Sequence, residues 1–128
     1  MFLQKNEIGR IGEHLARSFL AKNGYQIIDR NFRLRNGEID IIAIENPKSQ
    51  AKDRTLVFFE VKTRTSEEFG TPLEAITYFK MKALIRSAQV YKVSHNDLPE
   101  AMRVDALSVI VLANGELVSI EQVKNISG

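Results

Sequence analysis

Gly37-Glu38-Ile39-Asp40 and, on a later segment, Glu60-Val61-Lys62 are the residues of this chain best suited to carry out chemistry. Alternate residues of a β-strand share a face. Glu38 with Asp40 on one strand and Glu60 with Lys62 on the next would therefore gather three carboxylates beside one ammonium. Carboxylates held that close repel each other unless a cation stands between them. Magnesium suits such a set, and manganese could replace it, because a hard cation takes one or two carboxylates and fills its remaining positions with water and phosphate oxygens. The chemistry would be metal-assisted hydrolysis of a phosphodiester. Asp40 and Glu60 would hold the metal together with the main-chain carbonyl of Val61, while Lys62 orients or deprotonates the attacking water and steadies charge developing on the phosphate. A plainer reading also fits the triplet: Glu60 and Lys62 as solvated residues of a sheet face, paired with whatever lies across from them.

The elements that must position these groups can be read from the pattern. Residues 38–44 and 55–63 have strand character, the second rich in Val, Phe and Thr, and the polar, Pro-containing stretch 45–54 joins them as a hairpin connection. Antiparallel pairing about position 50 sets Asp40 opposite Glu60. Directly opposed side chains on one face have Cβ atoms roughly 4.5–5.5 Å apart. Glu38, Asp40 and Ile42 are then expected on one face of the first strand, and Phe58, Glu60 and Lys62 on one face of the second.

Before this hairpin, Asn6 can cap a helix over residues 7–23 that Gly24 stops, with Ile8, Ile11, Gly12, Leu15 and Phe19 along one stripe. Glu13 falls on the border of that stripe, near Gly9, Ala16 and Leu20, either reaching into a cleft against the sheet or serving as an ordinary glutamate of a first helix. Gly9 and Gly12 would let the helix pack closely on the sheet. Residues 25–29 form a short strand. A second helix is expected to start at the capping box Thr71-Pro72-Leu73-Glu74 and to continue through Ile76, Lys80, Ala83, Leu84, Ser87 and Tyr91. Lys80 lies in the apolar stripe, where it either snorkels or points toward the acids. Residues 94–101 read as a loop and 103–112 as a strand, with Arg103 and Asp105 on one face as a structural ion pair; Asn114-Gly115 is a two-residue hairpin turn into 116–120. The order is α-β-β-β-α-β-β, without repeat or linker.

Composition bounds the class. With 128 residues, 44% hydrophobic and 27% charged, the chain suits one soluble domain over residues 1–128. It has no cysteine, no apolar run of membrane-spanning length and no signal-peptide pattern, so a cytoplasmic protein without a membrane partner is expected. His14 and His95 alone cannot build a zinc site and lack a nucleophile arrangement, so both are expected to be surface or structural. The net charge of +2 is no nucleic-acid signature, but its distribution is informative. The stretch 75–94 carries Lys80, Lys82, Arg86 and Lys92 and no acid, and Arg30, Arg33 and Arg35 precede the acidic strand. Such clusters, with Arg64 beyond Lys62, would contact phosphates flanking a metal pocket, or else form solvated faces. No aromatic stacking platform is evident, which places RNA behind DNA as a substrate.

Gly9-x-x-Gly12-Glu13-x-x-Ala16, Asn31-Phe32-Arg33, Gly37-Glu38-Ile39-Asp40-Ile41-Ile42-Ala43, Phe59-Glu60-Val61-Lys62-Thr63-Arg64, Lys80 and Arg103-x-Asp105, in that order, resemble the bacterial YraN-type family. That family belongs to the PD-(D/E)xK nuclease superfamily, near archaeal Holliday-junction resolvases. The resemblance runs from about residue 8 to residue 111. It implies a restriction-endonuclease-like αβββαβ core, here with an extra C-terminal strand, in which a mixed central sheet is flanked by helices. By that resemblance Asp40 is the motif aspartate, Glu60 the acidic residue, Lys62 the lysine and Glu13 the acid supplied by the first helix. Ile39 stands where the superfamily name has proline. The function implied is a magnesium- or manganese-dependent DNA endonuclease whose nucleic-acid contacts include Arg33, Arg35, Arg64, Lys80, Lys82 and Arg86. The resolvase likeness points to branched or junction DNA and, because a resolvase cuts two symmetric strands, to a homodimer. The alternative is a non-catalytic nucleic-acid or protein binding module on a nuclease fold.

Overall fold

The computed structural model describes residues 3–66 and 76–127. Its elements are α1 (Lys5–Lys22), β1 (Tyr25–Leu34), β2 (Gly37–Glu45), a short 3-10 turn (Ala51–Asp53), β3 (Thr55–Thr65), α2 (Tyr78–Ser94), β4 (Ala101–Val111) and β5 (Leu117–Val123). The strands form a single sheet in the order β1-β2-β3-β4-β5. All neighbours are antiparallel except β3 and β4, which are parallel and joined through α2, because a parallel pair needs a crossover connection. This is the expected αβββαβ arrangement with an added C-terminal strand.

Each face of the sheet buries one helix. Ile8, Ala16 and Leu20 of α1 pack on Ile41, Ala43, Val57, Phe59, Leu107, Val109 and Val111. Leu84, Ala88 and Tyr91 of α2 pack on Ile39, Ile42, Leu56, Phe58 and Val104 on the other side. The central strand β3 is covered on both faces, which is why residues 56–59 are a continuous apolar run instead of an alternating one. Contact on the α1 side is close enough to require a glycine: a Cβ built on Gly12 would stand 1.7 Å from Thr63 Oγ1. Gly9 differs from expectation, since a Cβ there meets nothing within 4 Å.

Several boundaries differ from the sequence reading. α1 starts at Lys5, with Gln4 as its cap, and the Glu7 carboxylate accepts from the Gln4 N–H at 3.0 Å; Asn6 lies inside the helix. The helix ends as predicted, before Gly24 in the left-handed region (φ 87°). β1 is twice the expected length, because residues 30–34 pair with the start of β2. The proposed capping box at Thr71 falls outside the described residues. α2 itself begins at Tyr78, where the Thr77 hydroxyl caps it by accepting the Lys80 N–H at 3.1 Å, and Ile76 precedes it. The last hairpin is a three-residue loop, not a two-residue turn. Leu112 N–H bonds the Glu116 carbonyl, Gly115 N–H bonds the Leu112 carbonyl, and Gly115 (φ 93°) takes the left-handed position that closes the loop.

Arg103 anchors one end of the sheet. Its guanidinium donates to Asp105 (2.9 Å), to both Glu45 oxygens (2.7 and 3.0 Å) and to the Tyr25 hydroxyl (2.9 Å). Asp105 is fully buried and also accepts from Gln122 and from the Asn125 N–H. Glu45, bonded by Arg103, is held down at about 2, and the Arg103 guanidinium is held above its ordinary range by Glu45 and Asp105 against the opposing effect of burial. The ion pair is thus structural and links β1, β2, β4 and β5.

Two substitutions test this packing. Gly12→Ala should destabilise the fold by about 2 kcal/mol through overpacking against Thr63, whereas Gly9→Ala should be neutral or stabilising, as judged by urea unfolding. Arg103→Ala should cost about 3 kcal/mol or more by stranding the buried Asp105.

Candidate functional site

The register predicted for the central hairpin is observed. β2 and β3 pair as Ile41↔Phe59, Ile42↔Phe58 and onward to Glu45↔Thr55, which sets Asp40 next in line with Glu60. The ladder stops one pair short of those two residues. β3 stays paired with β4 as far as Thr65, while β2 stays with β1 back to Gly37, so a gap opens between β2 and β3 where the acids stand.

The side-chain alternation predicted along β2 fails at this point. Ile39 and Ile42 pack in the same layer, against α2, so strict alternation breaks between them and Glu38, Asp40 and Ile42 do not share one face. The flanking pairs Arg30↔Ile41 and Phe32↔Ile39 set Asn31 across from Asp40, and Asn31 has a φ of 54°. Asparagine tolerates that left-handed conformation better than most residues. The kink turns Asp40 into the gap, where its Oδ2 accepts the Val61 N–H at 2.7 Å in place of a backbone partner. A strand residue directs its N–H and C=O to the same side, so the Val61 carbonyl also faces the gap.

Glu60 is nearly buried, at 4% exposed, and its Oε1 is met by two ammonium groups, Lys80 Nζ at 2.6 Å and Lys62 Nζ at 3.5 Å. Of the two orientations open to Lys80, the structure has the one toward the acids. A cavity of about 490 Å³ lies over the gap, and its lining includes Asp40, Glu60, Val61, Lys62, Lys80 and Phe79. Burial, then the Glu60 charge and the more distant Glu13 and Glu38, push the Asp40 carboxyl up to about 7 against the opposing Val61 hydrogen bond. Lys62 is depressed by burial and by the neighbouring Lys80 ammonium, with Glu60 opposing; Lys80 is depressed by burial but raised overall by its bond to Glu60.

Glu13 reaches this region from the other face. It lines a second hollow with Lys5, Gly9, Val61, Lys62 and Thr63, so the two hollows share Val61 and Lys62. Its Oε1 is the one buried side-chain polar atom without a hydrogen-bond partner among the described residues. Burial and the Glu38 charge raise its pKa, opposed by Arg17, Arg30 and Arg33. Among the described residues no three His, Cys, Asp or Glu side chains cluster closely enough to form a metal site between them. The oxygen donors at the gap are Asp40, Glu60 and the Val61 carbonyl, and Glu38, paired with Arg33, also lines the cavity.

The cationic residues divide. Arg33 is paired with Glu38 at 3.2 Å. Arg35 and Arg86, both exposed, line one small hollow beside the acid cavity. Lys82 Nζ stands 4.8 Å from the centre of the Tyr78 ring. Arg64 is half-buried, beyond Lys62 on β3. His14 is exposed on α1, and His95 stacks on Tyr91. Two aromatic side chains are exposed at the start of α2, Tyr78 and Phe79, and Phe79 lines the acid cavity. The helical stripe drawn through Ile76 and Lys80 obscured them, although two adjacent aromatics following a threonine cap were the available signal.

Fold and site together define a mixed α/β domain with an acid–acid–lysine cavity at a strand divergence. Residues 12–109 match the Uncharacterised protein family UPF0102, and the chain belongs to that family, the YraN-like one. A UPF0102 protein of Caldanaerobacter subterraneus subsp. tengcongensis is 40% identical over 124 residues, covering 97% of this chain and 94% of its own length. Another, of Caldicellulosiruptor saccharolyticus, is 43% identical over 124 residues, covering 96% and 98%. A third, of Alkaliphilus oremlandii, reaches 51% over 89 residues, 70% of each chain. No helix among the described residues is long and apolar enough to cross a membrane.

The raised Asp40 pKa has a testable sign. An unfolded carboxyl ionises near 3.8 and the folded one near 7, so between those values the folded chain holds the extra proton. Stability in EDTA should therefore fall as pH rises through that window and level off above it. Thermal unfolding of Asp40→Asn should lack that slope, and the variant should exceed wild type in stability at pH 8 in EDTA.

Proposed function

We propose that this protein is a metal-dependent endonuclease that hydrolyses phosphodiester bonds in DNA. The observation that carries the proposal is the meeting of Asp40, Glu60 and Lys62 at the split between β2 and β3. The donor set fits a hard cation: two carboxylates and a carbonyl border the gap, the Asp40 carboxyl is raised by burial and by the neighbouring Glu60 charge, and Glu13 Oε1 is buried without a partner nearby. Asp40, Glu60 and the Val61 carbonyl would hold magnesium or manganese. When bound, the ion would neutralise phosphoryl oxygens and acidify a coordinated water.

The chain's own groups supply the remainder. Lys62, with a depressed pKa, has a larger neutral fraction with which to take a proton from the attacking water, and as an ammonium it steadies charge on the phosphate. In the free chain Lys80 holds Glu60 in place. Glu13 acts as an added base or ligand from the α1 side. Arg35 and Arg86 stand beside the cavity and Lys82 over Tyr78, next to the cavity-lining Phe79, where neighbouring phosphates would lie, giving affinity without reading sequence. The resolvase likeness makes branched DNA the substrate class, and a symmetric double cut would require two copies of the chain.

One observation favours a second reading, a nucleic-acid binding module without turnover. Glu60 Oε1 is already charge-balanced by Lys80 and Lys62, as a purely structural acid would be.

Cleavage of a labelled panel of duplex, single-stranded, flapped and four-way-junction DNA separates the two. Wild type with magnesium or manganese should cut and EDTA should abolish cutting. Lys62→Ala and Asp40→Asn should lose at least a hundredfold in rate while keeping DNA affinity within a few-fold. Uncut binding by wild type and both variants alike would establish the module instead.

A further inference from the structure

Tyr78 and Phe79, in the first turn of α2, are 67% and 81% exposed. Single exposed apolar side chains are ordinary; what sets these two apart is where they stand. Phe79 lines the same cavity as Asp40, Glu60 and Lys62. Tyr78 meets Phe79 at 75°, with ring centres 5.7 Å apart, so the two rings do not cover each other face to face. Lys82 holds its ammonium over one face of Tyr78 at 4.8 Å, which fixes a cation beside the aromatic pair. Ring faces interleaved with ammonium groups are what a single strand of nucleic acid needs: bases stack on the rings while phosphates meet the cations. A continuous duplex keeps its bases stacked on one another and would present only sugar and phosphate to Phe79. The cavity volume, about 490 Å³, is in the range of small-ligand sites, roughly 300–1,000 Å³.

We infer that Phe79 is a stacking platform for an unpaired base of DNA whose neighbouring phosphate enters the acid cavity. The substrate is then DNA that carries an unpaired nucleotide, such as a flap, a gap or an opened branch point, in preference to continuous duplex. The inference rests on the nucleic-acid reading of the site proposed above and is independent of turnover.

The test is binding to a flapped DNA with 2-aminopurine in the flap and to a duplex of equal length, with calcium in place of magnesium to suppress turnover. Wild type, Phe79→Ala, Phe79→Leu and Val93→Ala are compared; Val93 is equally exposed, on the same helix, at 81%. Wild type and Val93→Ala should quench the 2-aminopurine and both Phe79 variants should not. Phe79→Ala should lose on the order of ten- to a hundredfold in flap affinity, with duplex affinity and the unfolding midpoint unchanged. Absence of quenching by wild type, or equal loss on flap and duplex, overturns the inference. So does self-association that Phe79→Ala abolishes with DNA binding unmoved, since a second copy would then be what covers the ring. A protein that never cuts yet quenches through Phe79 keeps this inference and refutes the nuclease. One that cuts flapped DNA equally with Phe79→Ala, with its affinity unchanged, keeps the nuclease and refutes this inference.

Discussion

Two carboxylates at the mouth of a splitting sheet are the constraint on which the rest of this structure depends. At roughly 5 Å and an effective dielectric near 20, two unit charges repel by about 3 kcal/mol. Asp40 and Glu60 follow directly after the last ladder pair, so continued pairing would press them together at that spacing. The strands part instead. Asp40 bonds the Val61 N–H across the gap, Glu60 takes two ammonium groups, and the Asp40 carboxyl remains partly protonated near neutral pH. The surroundings accommodate the split. Asn31 accepts a left-handed backbone opposite Asp40, and Gly37 leaves room for Ser87 and Ala83 where α2 closes over the gap.

The far end of the same sheet shows what acids look like when their role is structural. Asp105 and Glu45 are held by Arg103, and Gln122, Asn125 and Tyr25 occupy their remaining acceptor positions. Glu45 is held down near 2, whereas Asp40 is pushed up to about 7. Both ends pair acids with cations, so residue type alone does not distinguish them. Satisfaction does: the Arg103 network has its oxygens bonded, whereas the gap has a raised carboxyl and, close by, an unpartnered Glu13 oxygen. Perturbed, under-satisfied groups lining a cavity point to function more than to stability.

Much of this was legible in the sequence, for identifiable reasons. The element order and the Asp40–Glu60 register followed from the alternation and length of the central hairpin, and the Arg103–Asp105 pair from strand spacing. The break in alternation at Asp40 was not legible, because it depends on a left-handed Asn31 on another strand and on charge repulsion that forms only after pairing. The position of Glu13 was half legible: helical periodicity set it on a border, but Ala16 and Leu20, both fully buried, turn that border inward. The start of α2 was misjudged at Ile76, which precedes a helix that the Thr77 hydroxyl caps. The same error concealed Phe79, whose exposure depends on where the helix begins.

Lys80 connects the two halves of the site. As the chain stands it neutralises Glu60 at 2.6 Å, although its own side chain is still 37% exposed. In the nuclease reading, a divalent cation on Glu60 and Asp40 would compete with that ion pair and free an ammonium group within the cavity that Phe79 borders. A phosphate is the natural new partner for the freed charge. Metal and DNA would then each bind more tightly in the presence of the other, because each removes a cost the other would otherwise bear, and linkage requires the effect to be reciprocal. The Lys80–Glu60 pair that favours a passive module in the free chain is therefore also the contact through which an active site would sense that both metal and substrate have arrived.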